Sequence, residues 1–132
     1  MASFDLKSNI SNLNAFTPAT INSDTTTAGV EIDTLGYESL TFLNRASSYT
    51  DGTYTPLIEE SDTSSSGYAA VADNDLIGTE ADAALSAAGV SRIGYVGTKR
   101  YVKLSFVSTS TSTGATLDSV AVLGSPKTAP VA

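Results

Sequence analysis

In "KRYVKLSFVS", residues 99–108, Val102, Leu104 and Phe106 fall on one face of an extended chain, and Lys99, Tyr101, Lys103 and Ser105 fall on the other. A helix would scatter these residues around its axis, whereas a half-buried antiparallel strand sorts them by face. The same rhythm sets the reading of the rest of the chain. β-Branched residues recur in short runs punctuated by Gly, Asp and Asn, which predicts strands at "AGVEI" (28–32), "YESLTFLN" (37–44), "TYTPLIEES" (53–61), "YAAVA" (68–72), "RIGYVG" (92–97), 99–108 and "ATLDSVAVLG" (115–124). In the second of these Leu40 and Phe42 share a face while Ser39 and Thr41 look the other way, and in the last Val120 and Val122 share one.

The punctuation is as informative as the runs. Asp51 and Gly52 favour the positive φ of a tight turn, so a hairpin or short corner is expected before residue 53. Pro56 cannot donate a ladder hydrogen bond, which places its strand at a sheet edge or at a bulge. "TEADAALSAAG" (79–89) is the one helical candidate, with Thr79 able to cap, Glu80 and Asp82 in the first turn and Gly89 as terminator; its length allows a single short helix or a loop. Seven short strands with so little helix predict an all-β fold, a single-domain β-sandwich that is jelly-roll-like, with extended N- and C-terminal arms. The expected divisions are an arm over 1–18, the sandwich over 19–124 and a C-terminal arm over 125–132, where Pro126 and Pro130 interrupt any core pattern.

At 132 residues the chain fits one domain with a core large enough to need no staples, and with no cysteine it has none. Histidine is also absent, which removes the usual general base and the commonest transition-metal ligand together. The expectation is a non-enzymatic protein with no cofactor and no metal. A net charge of −7 repels polyphosphate at long range, so nucleic acid is not an expected partner. The segment "MASFDLKSNISNLNAF" has no apolar signal-peptide core and no apolar run approaches a membrane span, so no membrane partner is expected and synthesis in a host cytoplasm is.

Three local patterns invite chemistry and fail on inspection. "IGYVGTKRY" contains the GxxG of the KH-domain loop, but Arg100 stands where that loop turns into an apolar helix. Asp73, Asp75 and Gly78 begin like a calcium loop, but Ile77 occupies a ligand position and Ala84 the place of the bidentate glutamate. Glu59 and Glu60 are adjacent, so on a strand they point to opposite faces and cannot act as a facing acid and base.

Charge order along the chain says more. No Lys or Arg lies between Arg45 and Arg92, where Asp51, Glu59, Glu60, Asp62, Asp73, Asp75, Glu80 and Asp82 fall, and Arg92, Lys99, Arg100 and Lys103 follow closely. The acidic and basic segments either pair within one molecule or dock neighbouring copies by complementary potentials. Arg100, in phase with the apolar face, needs a carboxylate partner or a route to water.

The words "TTTAGVEIDTLGYESLTFLN", "DGTYTPLIEESDTSSSGYAAVADNDLIGTEA", "IGYVGTKRYVKLSF" and "AVLGSPKTAPV" cover nearly the whole chain in order, and the chain resembles the capsid decoration or cement proteins of tailed bacteriophages and prophages. The resemblance implies a β-sandwich or jelly roll without enzymatic activity, located on the capsid exterior of a virion, whose partners are the lattice of the major capsid protein and other copies of itself, as a dimer or trimer. Segments with apolar residues outside the strand pattern are the expected contacts: Phe4, Leu6, Ile10, Leu13 and Phe16 in the N-terminal arm, and Pro126, Pro130 and Val131 in the tail. Lys99, Tyr101 and Lys103 are expected to meet a protein neighbour, such as the acidic 51–82 segment of another copy. Two other readings remain open. One is a carbohydrate-binding jelly roll using Tyr37, Tyr54, Tyr68 or Tyr101 as stacking platforms; the other is a tail or baseplate component.

Overall fold

The computed structural model describes residues 6–127. Among them ten strands form: β1 (Ser11–Ile21), β2 (Thr26–Ala28), β3 (Ile32–Asp33), β4 (Tyr37–Tyr49), β5 (Thr53–Ser61), β6 (Ala69–Ala70), β7 (Leu76–Ile77), β8 (Gly89–Tyr95), β9 (Tyr101–Thr109) and β10 (Ala115–Pro126). Every pairing is antiparallel. One sheet has the order β1-β10-β4-β8-β7; the other has the order β2-β9-β5-β6, with β3 beside β2 along the same edge of β9. The two pack as a β-sandwich.

Alternation decides which side chains meet between the sheets. Leu40, Phe42 and Ala46 of β4, Leu117, Ala121 and Leu123 of β10, and Ile93 and Tyr95 of β8 bury against Tyr54 and Ile58 of β5 and Val102, Leu104 and Phe106 of β9. Val120 and Val122 do share a face, as expected, but it is the outward one, because Ala115, Leu117, Ser119, Ala121 and Leu123 take the inward phase of β10.

The chain passes from β4 to β5 by a corner, since β4 lies in one sheet and β5 in the other. Gly52 takes the positive φ that the Asp-Gly pair foretold. Two tyrosines fix the corner: Tyr49 Oη donates to the Gly52 carbonyl and Tyr54 Oη to the Asp51 carbonyl, each at 2.7 Å, with the rings edge to face. The Asp51 carboxylate then crosses to the loop between β9 and β10. It accepts from Ser112 Oγ at 2.7 Å and from the backbone N–H groups of Ser112, Thr113 and Gly114 at 3.1, 3.0 and 2.8 Å. These bonds, the Ser112 hydroxyl first, hold its carboxyl far below the usual range.

Pro56 lies where its missing N–H costs nothing. β9 covers one side of β5, while β6 pairs only with Glu59 and Glu60 on the other. On that second side the Tyr54 N–H reaches Leu85 O at 2.9 Å and the Ile58 N–H reaches Glu80 Oε2 at 2.7 Å, so Pro56, in the same phase, faces a gap between them. Residues 79–89 therefore do not form the helix. Thr79 does cap, its Oγ1 accepting from the Asp82 N–H at 3.0 Å, but Glu80 and Leu85 are drawn to the edge of β5 and the segment stays a chain of turns. The edge position of Glu80 also buries its carboxyl enough to raise its pKa.

The N-terminal boundary needs a correction. Residues 11–18, expected in an arm, belong to β1, which pairs with β10 from Ser11 opposite Leu123 to Ile21 opposite Ala115. Register shifts between Asn14 and Phe16 and between Phe16 and Ala19 put Ala15 and Phe16 both into the core. The Phe16 ring meets Phe106 of the other sheet edge to face at 4.9 Å. Gly29, between β2 and β3, closes this side: a Cβ there would run into the carbonyl oxygens of Ala15 and Leu104. At the other end β10 extends through Pro126, so residues 125 and 126 belong to the sandwich and not to a C-terminal arm.

Candidate interaction surfaces

The basic run is spent largely within the molecule. Lys99 pairs with Asp62 at 2.6 Å. Arg100 makes a two-pronged pair with Asp33, Nε to Oδ1 and Nη2 to Oδ2 at 2.8 Å each, which supplies the carboxylate its position required. Those bonds lower the Asp33 carboxyl and raise the guanidinium. Lys103 sits opposite Glu59 in the β5–β9 ladder with its Nζ 4.5 Å from the centre of the Tyr68 ring, and the Arg100 guanidinium lies 4.9 Å from that of Tyr101. Tyr68 also donates to Glu31, which accepts from Ser64 Oγ and the Ser65 N–H as well. Of the two expectations for the charge pattern, pairing of the acidic and basic segments within one molecule accounts for Lys99 with Asp62, whereas Arg100 finds its carboxylate outside the acidic segment, at Asp33.

Of the four tyrosines that the carbohydrate-binding alternative offers as stacking platforms, Tyr54 is not one, being fully buried. Tyr37 packs partly against the core, Tyr68 lies under Lys103, and Tyr101 lies beside Arg100.

The remaining contact candidates divide by position. Leu6 is exposed just before a 3-10 turn at Lys7–Asn9, Ile10 is half-buried, and Leu13 on β1 is exposed. Phe16, by contrast, is a core residue. Pro126 is half-buried opposite Tyr37. Phe4, Pro130 and Val131 lie outside the described residues. Because β1 and β10 are antiparallel, with Ser11 opposite Leu123, the chain enters and leaves the sandwich at the same end. There Lys127 donates its N–H to Gly36 O, and a cleft of about 350 Å³ opens, lined in part by Leu35, Tyr37, Tyr95, Lys99, Arg100 and Lys127. Leu35 projects into solvent at 65% exposure.

A second surface escaped the sequence reading. The outward face of the β4 sheet carries Leu43, Val120, Val90 and Ile77, all exposed, with half-buried Val122 among them. Around them stand Arg92 and the pair Arg45–Asp118, joined at 2.7 and 3.2 Å. The signal was present: Leu43 follows Phe42 directly, and Val120 and Val122 break the phase of Leu117, Ala121 and Leu123. A single apolar side chain in the solvent phase of a strand is ordinary, but a contiguous patch of them is a mark of a surface that meets something.

Among the described residues no group of three or more Asp and Glu side chains is placed to hold a metal ion, and every buried side-chain polar atom has a hydrogen-bond partner. The buried Ser119 Oγ donates to Asn44 Oδ1 at 2.7 Å and ties β10 to β4, and the half-buried Ser91 Oγ donates to Ala83 O at 2.7 Å and ties β8 to the turns that precede it.

No protein-family model matches the chain, and no curated protein does. Among solved structures, the crystal structure of SPBc2 prophage-derived protein YomS matches at 17% identity and a TM-score of 0.44, over 86% of this chain and 93% of that one.

Proposed function

We propose that this chain is a structural protein of a phage particle that binds the outside of the assembled shell and ties neighbouring capsomers together. The reading rests on the resemblance, which spans nearly the whole sequence, and one observation carries it toward a mechanism: the start of β1 and the end of β10 lie at one end of the sandwich, the end that bears exposed Leu6 and Leu35. A protein that staples a lattice needs a rigid body and contact segments that can act together. Shared direction lets the two terminal segments engage one shell surface at once, so that weak contacts multiply.

The carbohydrate reading loses support from the burial of Tyr54 and the cations over Tyr68 and beside Tyr101.

Purified chain mixed with empty shells of the particle it belongs to is expected to bind saturably and to raise the shell's melting temperature, because a ligand that binds only the assembled state stabilises it. A glycan array should give no signal. Absence of shell binding together with a glycan hit would reverse the assignment.

A further inference from the structure

We propose that the outward face of the β4 sheet joins two copies of this chain about a two-fold axis that runs parallel to the strands, between β4 and β10. This pairing goes beyond the shell reading and does not depend on it.

Exposed apolar surface is concentrated here. Val90 is 78% exposed, Ile77 62%, Leu43 45% and Val120 38%, and the register makes them neighbours: Leu43 lies beside Val120 on one side and Arg92 on the other, Val90 lies beside Arg45, and Ile77 lies beside Gly94. Gly94 keeps this part of the face low, and a Cβ there would stand 3.1 Å from the Ile77 Cβ. The face is thus a shallow floor in which Leu43 and Val120 are the exposed apolar side chains on the two central strands, with Val90 and Ile77 toward the β7 edge.

Charge selects the occupant and the axis. Arg45 and Asp118 are cross-strand partners one step from the Leu43–Val120 row on the outward face. A dyad between β4 and β10 sets each residue of one strand over the matching residue of the other strand in the second copy. Leu43 then meets Val120 of the second copy, Arg45 meets its Asp118, and Asp118 meets its Arg45. Arg92 meets the neutral Asn14, which is Val120's other cross-strand neighbour. The Arg45 side chain is 58% exposed and keeps donors to share with a second carboxylate. A dyad along β4 would instead set Arg45 on Arg45, one along β10 would set Asp118 on Asp118, and one across the strands through the Leu43 row would set Arg92 on Arg92. Like charges opposed across an interface are strongly unfavourable, and a dyad between β4 and β8 would set Arg92 on Leu43 and Arg45 on Val90, so of the axes parallel to the strands the one between β4 and β10 pairs Leu43 with Val120 and Arg45 with Asp118. Isologous two-fold pairing is also the commonest closed symmetry. Lipid and nucleic acid fit poorly, because the face belongs to a chain of net charge −7.

The test uses the full chain. Sedimentation velocity should find a dimer, and Leu43→Glu should raise the dimer dissociation constant about thirtyfold or more, as loss of a central interface residue does, while circular dichroism keeps its β spectrum. The chain has no cysteine, so geometry can be read by oxidation. Leu43→Cys mixed with Val120→Cys should give a disulfide between the two variants, and neither alone should cross-link to itself. A wild-type monomer would overturn the proposal, as would a dimer indifferent to Leu43→Glu or a Leu43→Cys self-disulfide. Loss of shell binding by Leu43→Glu from a wild type that is monomeric would give this face to a shell protein and overturn the pairing as well. A monomeric Leu43→Glu that still binds shells, less tightly, would support the pairing and leave the shell reading standing.

Discussion

Asp51 couples two distant parts of the chain. Its one carboxylate satisfies three backbone N–H groups and a hydroxyl in the loop that links the last two strands. The folded carboxyl is held below its ordinary value, so its contribution is fully present above the unfolded pKa of about 4 and is lost as pH falls through the folded value. Asp51→Asn keeps one acceptor oxygen and loses the charge that strengthens the bonds. The variant should melt at a lower temperature than the wild type at neutral pH, and the gap should hold down to about pH 5 and narrow below about pH 4. Parallel thermal melts across that range would show it, and a gap independent of pH would contradict this role. Sequence made the turn at Asp51 and Gly52 legible through backbone preference alone. The carboxylate's target was not legible, because residues 112–114 lie some sixty positions away and no local pattern joins them.

At the scale of elements, strands with clean alternation were readable and those without it were not. β5 runs from Thr53 to Ser61 as read, and its proline faces the stretch of β5 that β6 leaves unpaired, for the reason given by its chemistry. β1 was missed because its two register shifts bury adjacent residues, Ala15 and Phe16, and so erase the period of two that identifies a strand. The 79–89 segment has the composition of a helix, but an edge strand with donors to satisfy outbids a helix this short. The β1 assignment changes how the terminal segment should be probed. Removing residues 1–10 should weaken shell binding while leaving the β circular-dichroism spectrum and melting temperature nearly unchanged. Phe16→Ala should instead destabilise the fold by about 3–5 kcal/mol, as aromatic truncation in a core does. Equal shell binding by the shortened chain would remove the terminal segment from the interface, and a mild Phe16→Ala would remove that side chain from the core.

The whole molecule is a sandwich whose two outward faces differ. On the β9 sheet, Lys103, Tyr68, Glu31, Tyr101 and the Arg100–Asp33 pair form a surface that satisfies itself. On the β4 sheet, apolar side chains stand in the solvent phase. The sequence shows the all-β class plainly, whereas the partition of work between faces depends on register, which only the three-dimensional pairing fixes. In the proposed account the terminal end grips a shell and the β4 face joins copies, so that each pair spans two attachment points. Electron cryomicroscopy of the assembled particle tests this most directly. The account predicts density for the sandwich on the outer surface of the shell, in pairs, with the end bearing residues 6–10 and 127 turned toward the capsomers. Density for this chain confined to the tail would contradict it.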